Sequence, residues 1–499
     1  MRFESSDLDL FSIASGDRNP LHRDRDYARR TPYGEPVVFG MLGAIACLGT
    51  SQVGPCRRLT SLACNFRAPL FTDTEYCVER AVDTVETFEA RIVDGRRIVL
   101  DVEATFEPRT PTPDPRSVAL EPRIPRTEAR RLRLPDLAPS KSVRDEYAPS
   151  WSEVSALTER TGAHHTGIDL VDVGALLMLS YIVGMELPGE RALFSAFRLD
   201  LDPDRPDTGE RFGFDVQPAA VDARIGRATA NVELTAAGRP FGVGELAAYV
   251  RDDVPPVDVS ELRARLPEEP RLTGTRAFVV GGSRGLGASI VHALSLSGCD
   301  SVFAYEHSHD AAELVARTAP GPGSVVAVRG DAGDPEWCRE AIEDIVTQDG
   351  GLDFLVCNAC PSFGPLDVHP ATIDRLLRHV SASLALTAVP IATCLDALAA
   401  RRGTVAVISS LAVATPTKEW PHYVSGKRAI EGLVEVAARQ RRDVAFLVVR
   451  PPKLVTDLMN TPLGRIGAIA PELIAAAIVA RFAEDRQTED PVELVDTFN

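Results

Sequence analysis

Five side chains in this sequence have the types and spacing needed to move protons. Three lie near the C-terminus: Ser410, Tyr423 and Lys427. Tyr423 precedes Lys427 by four residues (427 − 423 = 4) and follows Ser410 by thirteen (423 − 410 = 13). On a helix, a four-residue spacing puts the phenol and the ammonium on one face. A nearby cation favours the phenolate, so the spacing predicts a Tyr423 pKa drawn toward neutrality and a phenol that donates a proton. Ser410 would hydrogen-bond the carbonyl that receives it. The other two, Asp17 and His22, sit in Ser15-Gly16-Asp17-Arg18-Asn19-Pro20-Leu21-His22. Gly and Asn-Pro make this run a turn. A carboxylate and an imidazole on a bent backbone can remove an α-proton and protonate a departing hydroxyl. Each pattern also fits a bland role, an exposed helix face or a capped turn, so the surrounding elements decide.

Around the first set the sequence reads as alternating strands and helices. A strand over 276–280 runs into Gly281-Gly282-Ser283-Arg284-Gly285-Leu286-Gly287, and a helix follows from Ala288. Glycines there let backbone N–H groups approach a pyrophosphate at a helix N-terminus. Further strands read at 301–305, 324–329, 354–357, 404–409 and 445–449, as expected of an α/β Rossmann domain with a parallel sheet.

This region, 271–499, resembles the short-chain dehydrogenase/reductases over nearly its whole length. Gly281, Gly285 and Gly287 match that family's G-x-x-x-G-x-G, and Asn358-Ala359 match part of its N-N-A-G element. Ser410, Tyr423 and Lys427 match its catalytic Ser, Tyr and Lys. The resemblance implies that Ser283, Arg284 and Leu286 contact the nucleotide beside those glycines. It also implies that Asp331 lies near the adenine and that Thr456 reaches the nicotinamide end. Lys427 would hold the ribose. Val280 stands where the family usually has Thr, and Cys357 and Cys360 flank Asn358-Ala359 in place of Asn and Gly. Ser381 falls at the expected position of a proton-relay Asn. These departures predict specialised or reduced turnover. Arg284 suits a 2′-phosphate while Glu306 opposes one, and the balance favours NADPH over NADH.

Around Asp17 and His22, residues 41–48 read as a buried helix and 62–66, 76–82 and 98–106 as strands. The loop resembles the S-G-D-x-N-P-x-H element of MaoC-like hot-dog hydratases and dehydratases, which places their catalytic Asp and His at Asp17 and His22. The resemblance implies a sheet wrapped around a central helix at about 41–52, whose first N–H groups hold a thioester oxygen. Phe39-Gly40-Met41 replaces the family's common His-Gly-Met and alters the pocket wall.

A weak repeat follows. Gly43-Ala44 recurs as Gly174-Ala175 (174 − 43 = 131), and Phe66-Arg67 as Phe197-Arg198 (197 − 66 = 131). With strands at 192–201, 212–218, 227–234 and 242–250, this reads as a second hot-dog unit, making an α+β double hot dog with an antiparallel sheet around central helices. Aligning Phe11-Ser12 with Val154-Ser155 sets Arg160 opposite Asp17 and His165 opposite His22. A guanidinium cannot accept a proton at neutral pH, so the second copy is expected to be non-catalytic and to complete the substrate tunnel. His164 and His165 read as turn residues, and no metal site is expected.

The chain has 499 residues, 44% hydrophobic and 25% charged, with a formal net charge of −17. That charge argues against nucleic acid or an anionic membrane as partner. No apolar run reads as a membrane span, the acidic N-terminus is unlike a signal peptide, and nine Cys suit reduced thiols in the cytoplasm. The expected layout is a catalytic hot dog (1–112), a linker (113–140), a second hot dog (141–253), a linker (254–270) and the Rossmann domain (271–499). The two activities share one intermediate. They predict a bifunctional β-ketoacyl thioester reductase and 3-hydroxyacyl thioester dehydratase, in fatty acid or polyketide-type synthesis. Its substrate would be carried on an acyl carrier protein or coenzyme A, and the resemblance to the reductases implies a homodimer. Three alternatives stay open: the same pair run oxidatively, a tailoring enzyme for one specialised metabolite, and an acyl-binding protein without turnover.

Overall fold

A computed structural model describes the chain except for residues 55, 110–120, 138–140, 206–210, 350, 485–491 and 499. It divides into two compact units, 1–252 with 461–463 and 253–460 with 464–499.

The first unit holds β1 (Arg57–Phe66), β2 (Cys77–Asp83), β3 (Thr87–Asp94), β4 (Arg97–Pro108), β5 (Val143–Tyr147), β6 (Ala192–Leu201), β7 (Phe212–Asp222), β8 (Arg227–Ala236) and β9 (Arg239–Val250). They form one sheet in the order β2-β3-β4-β1-β6-β9-β8-β7-β5, with every pairing antiparallel. The order β2-β3-β4-β1 is mirrored by β6-β9-β8-β7 about the β1–β6 junction. At that junction Asn65 faces Ala196, and 196 − 65 = 131 is the repeat offset itself. A local two-fold axis therefore passes between these residues. Phe66 packs on Phe194 and Phe197 across the seam, with ring centroids 5.0 and 6.1 Å apart.

The helices Gly40–Leu48 and Leu170–Tyr181 are largely apolar, with Asp172 and Ser180 the buried polar residues of the second, and both are buried on nearly every side, as a helix beneath a wrapped sheet must be. The sheet alternates accordingly: along β4, Val102, Ala104 and Phe106 point inward while Glu103, Thr105 and Glu107 point out. One hydrophobic core runs through both copies. The first helix stops at Leu48, short of the expected residue 52, and Gly49 after it packs so tightly against the Thr161 carbonyl that no Cβ would fit there.

The second unit holds β10 (Arg276–Val280), β11 (Asp300–Tyr305), β12 (Val325–Arg329), β13 (Phe354–Cys357), β14 (Thr404–Ile408), β15 (Ala445–Val449) and β16 (Val492–Val495). The order is β12-β11-β10-β13-β14-β15-β16, parallel throughout. Separate apolar clusters fill the two faces of this sheet.

Three expectations change. The 254–270 segment is not a plain linker: Asp258 caps a helix, Val259–Arg265, that buries Leu262 in the second unit's core. The described part of 113–140 also packs, since Ile124 touches Gly16 and Arg126 and Arg130 pair with Glu186. The helix Ile373–Ala400 has the length and mean hydropathy (1.7) of a membrane span, which overturns the reading that no run does. Its Ile391, Cys394 and Leu398 lie in the core beside the parallel sheet.

Candidate active sites

The glycine-rich turn leaves β10 and opens the helix Gly285–Leu296. A Cβ on Gly287 would collide with the Gly281 carbonyl, and one on Gly281 would lie 2.9 Å from the Ala359 Cα. Bare backbone is required at both places. Asn358 donates its Nδ2 hydrogen to the Gly281 carbonyl at 2.8 Å, tying the end of β13 to the turn. Thr456 lies over Gly285, its methyl 3.1 Å from the position of a Cβ there. Arg284 pairs with Asp457 at 3.2 Å, so part of its charge is already engaged. The exposed Asp331 accepts from the Gly333 N–H, and the Glu306 carboxylate lies 3.0 Å from His307.

Ser410 follows β14 and caps a short 3-10 turn by accepting from the Ala412 N–H at 3.1 Å. Tyr423 and Lys427 project from the helix Pro421–Gln440. The Ser410 hydroxyl lies close enough to the Tyr423 hydroxyl to lower its pKa, so these two residues do come together. Lys427 is buried and donates its Nζ to the Ile408 carbonyl at 2.7 Å, with the ammonium 5.7 Å from the Tyr423 ring centroid. Burial, then Cys360, push the Tyr423 pKa above its ordinary value, and Ser410 only partly offsets them. The expected fall toward neutrality is not what this arrangement produces, because burial of the phenol disfavours its charged form.

Ser381 also departs from expectation. It is exposed, whereas His379 and Ser383 are buried, with Ser383 against Gly426. Helix phase turns Ser381 away from Tyr423. His379 packs on Phe363, which stacks on Tyr423 at 4.4 Å, and its Nε2 has no hydrogen-bond partner among the described residues. Burial, aided by the Lys427 charge, lowers the His379 pKa to about 4. Sequence reading missed His379 and Ser383.

In the first unit, the helix Ser5–Ser15 ends at Gly16 in the left-handed region (φ 70°), a conformation glycine adopts without strain. Ser15 Oγ accepts from the Asp17 N–H at 3.0 Å, and Ser12 Oγ donates to the Asp17 carbonyl at 2.7 Å. Asp17 Oδ1 then accepts from the Asn19 N–H, and Asn19 Oδ1 from the Leu21 N–H, each at 3.0 Å. Pro20 opens a one-turn helix that carries His22. His22 Nδ1 donates to the Val37 carbonyl at 2.7 Å, which leaves Nε2 as an acceptor. The imidazole stacks on Phe39, centroids 3.9 Å apart.

The second copy has no matching pair, for a different reason than the alignment suggested. Its equivalent helix, Trp151–Thr161, is also eleven residues long and ends at Gly162 with φ 78°. Superposing the two glycines (162 − 16 = 146) puts Ala163 opposite Asp17 and Ile168 opposite His22. Arg160 instead ends the helix and binds Asp7 at 2.7 Å. His165 is exposed beside His164. Among the described residues, no three His, Cys, Asp or Glu are grouped to hold a metal.

Known proteins divide along the same lines. Residues 2–102 match the model of the MaoC like domain, and 275–463 that of the short chain dehydrogenases. The 3-hydroxybutyryl-CoA dehydratase of Methylorubrum extorquens is 37% identical over 121 residues, 22% of this chain and 77% of that protein. The chain belongs to both families. The versicolorin reductase 1 of Aspergillus parasiticus is 39% identical over 116 residues, 23% of this chain and only 44% of that protein. A 3-oxoacyl-(acyl-carrier-protein) reductase of Staphylococcus aureus is 25% identical over 229 residues, 43% of this chain and 88% of that protein.

In the MaoC-like domain, burial raises the Asp17 pKa to about 6 against the pull of the Asn19 N–H and the Ser180 hydroxyl. Burial lowers that of His22 to about 4, against the Val37 carbonyl. Asp17 is raised in the fold, so its contribution is favourable in acid and is lost as pH rises through about 6. Two pK units correspond to about 3 kcal/mol at alkaline pH. Asp17→Asn should therefore raise the melting temperature of this domain at pH 8, with the gain vanishing by pH 4. Calorimetry at both pH values tests this, and an equal shift at both would contradict it.

Proposed function

We propose that the chain reduces the ketone of a β-ketoacyl thioester and then dehydrates the resulting 3-hydroxyacyl thioester to a 2-enoyl thioester. One observation carries this reading: a complete Ser410–Tyr423–Lys427 set and a complete Asp17–His22 loop stand on one chain, and their two chemistries share the 3-hydroxyl. The names of the relatives support it, one a 3-oxoacyl-(acyl-carrier-protein) reductase and one a 3-hydroxybutyryl-CoA dehydratase.

The glycine cradle fits a dinucleotide, since any Cβ at Gly281 or Gly287 would fill it. Gly281, Ser283, Arg284, Gly285, Leu286 and Gly287 would hold the phosphates, Asp331 the adenine side, and Asn358, Ala359 and Thr456 the remaining wall. Bound there, a reduced nicotinamide supplies hydride. Arg284 favours NADPH over NADH. Tyr423 gives its proton to the ketone oxygen, and Ser410 orients that oxygen. In the second step His22 Nε2 takes the α-proton, because Nδ1 already carries the ring hydrogen. Asp17, raised by burial, protonates the leaving hydroxyl. The first N–H groups of Gly40–Leu48 face the thioester oxygen as charge develops.

The resemblance to versicolorin reductase 1, together with the departures at Phe39 and Cys360 from the two families' patterns, favours a second reading in which the same chemistry acts on a dedicated biosynthetic intermediate. The test is mass spectrometry of purified protein with a β-ketoacyl thioester and NADPH, with NADH in parallel. Enoyl thioester is the expected product. Its absence with simple acyl chains, alongside turnover of a more elaborate ketone, would favour the second reading; no turnover of either would overturn both.

A further inference from the structure

We propose that Arg251, held by Tyr27 and flanked by Tyr33, is an anchor for an anionic group of the dehydratase substrate, a carboxylate or phosphate remote from the reacting carbons. This rests on reading the Asp17–His22 loop as the dehydratase site.

Arg251 follows β9 and is only 4% exposed. A guanidinium keeps its charge at neutral pH, and a buried charge needs a counter-charge to offset the loss of water. Arg251 pairs with no carboxylate among the described residues. Its Nη2 donates to the Tyr27 hydroxyl at 2.8 Å and to the Glu190 carbonyl at 3.3 Å, and its buried Nε has no partner there. The Glu190 carboxylate is held instead by Arg131, at 2.6 Å. Tyr33 is half-buried, and its hydroxyl meets no hydrogen-bond partner among the described residues. Burial raises the Tyr33 pKa, and the Arg251 charge partly offsets the rise, so the phenol and the guanidinium lie within electrostatic reach. Both tyrosines belong to the segment between His22 and the first central helix. Glu190 adjoins Gly189, whose carbonyl accepts from Asn19 Nδ2 at 3.2 Å. The unpaired cation is thus tied to the loop that carries Asp17.

The other copy supplies a comparison. Arg109 follows β4 as Arg251 follows β9. Each donates its N–H to the carbonyl just before the paired strand, Arg109 to Cys56 at 2.8 Å and Arg251 to Arg191 at 3.0 Å. The Arg109 guanidinium pairs with Asp169 at 3.0 Å, the residue that caps the second central helix. In the silent copy the chain supplies the anion itself. In the working copy the equivalent arginine faces phenols, and the anion is left to the ligand.

The experiment follows hydration of three 2-enoyl thioesters by the full chain. Crotonyl-CoA carries phosphates, S-crotonyl-N-acetylcysteamine carries no anion, and a third N-acetylcysteamine thioester has an enoyl chain ending in a carboxylate. Charge-assisted bonds predict that Arg251→Leu lowers kcat/KM for the anionic thioester, relative to the neutral one, by roughly 10- to 100-fold, chiefly through KM. Arg251→Lys keeps the charge without the planar fork and should lose less. Tyr33→Phe should lose about 3- to 10-fold. Loss confined to crotonyl-CoA assigns the phosphate, and loss confined to the third thioester assigns the acyl chain. An equal loss on all three, or an unchanged ratio in both Arg251 variants, would overturn the proposal. Calorimetric binding of the same thioesters by Asp17→Asn, with and without Arg251→Leu, reads the anchor without turnover. An Arg251-dependent preference for an anionic thioester there supports the anchor even if wild type hydrates none of them, a result that would overturn only the reading beneath it.

Discussion

Tyr423→Phe should lower ketone reduction by about a hundred- to ten-thousand-fold, the usual worth of a positioned proton donor. The substitution removes one oxygen and little else. The ring that stacks on Phe363 at 4.4 Å remains, and Lys427 keeps its bond to the Ile408 carbonyl. Loss of rate would therefore report the proton and not the fold. Because burial and Cys360 hold the phenol above its ordinary pKa, Tyr423 stays protonated across the neutral range. The proton donor itself should then impose no alkaline limb on reduction below about pH 10. The assay is NADPH consumption with a β-ketoacyl thioester at several pH values, with dehydration of added 3-hydroxyacyl thioester measured alongside. Dehydration should be unchanged. Reduction at a tenth or more of the wild-type rate would remove Tyr423 from the role of acid.

What could be read from the sequence followed the range of the interaction involved. The parallel sheet was readable because strands buried on both faces are continuous apolar runs; every residue of Phe354–Cys357 and Thr404–Ile408 is buried. The short edge strand β16 mixes half-buried and exposed positions, so it carries no such run. The Asp17 loop was readable because the bonds that shape it, Ser15–Asp17, Asp17–Asn19 and Asn19–Leu21, each close within a few residues. Spacing placed Tyr423 and Lys427 on one face, but the partner that diverts the ammonium, the Ile408 carbonyl, lies nineteen residues away. The short match of Phe11-Ser12 with Val154-Ser155 did not set the offset between the two loops, and Arg160 was misplaced. Two eleven-residue helices ending in left-handed glycines do set it. The bond from Ser180 to Asp17 has no local signature, since the two residues are 163 positions apart.

Asp17→Asn should reduce dehydration by about a hundred- to ten-thousand-fold and make 3-hydroxyacyl thioester accumulate from a β-ketoacyl substrate, with reduction intact. Asn retains the size of the side chain and an oxygen to accept the Asn19 N–H at 3.0 Å, so the loop should hold its shape. What it lacks is an exchangeable proton at a pKa of about 6. The same variant is expected to be more stable than wild type at pH 8, because an ionised carboxylate no longer sits in a buried site. Opposite signs for stability and activity distinguish a functional carboxylate from a structural one. If Asp17 mainly supported the fold, its replacement would lower both. An inactive but stabilised variant would show that the buried charge is retained for the chemistry at the cost of stability.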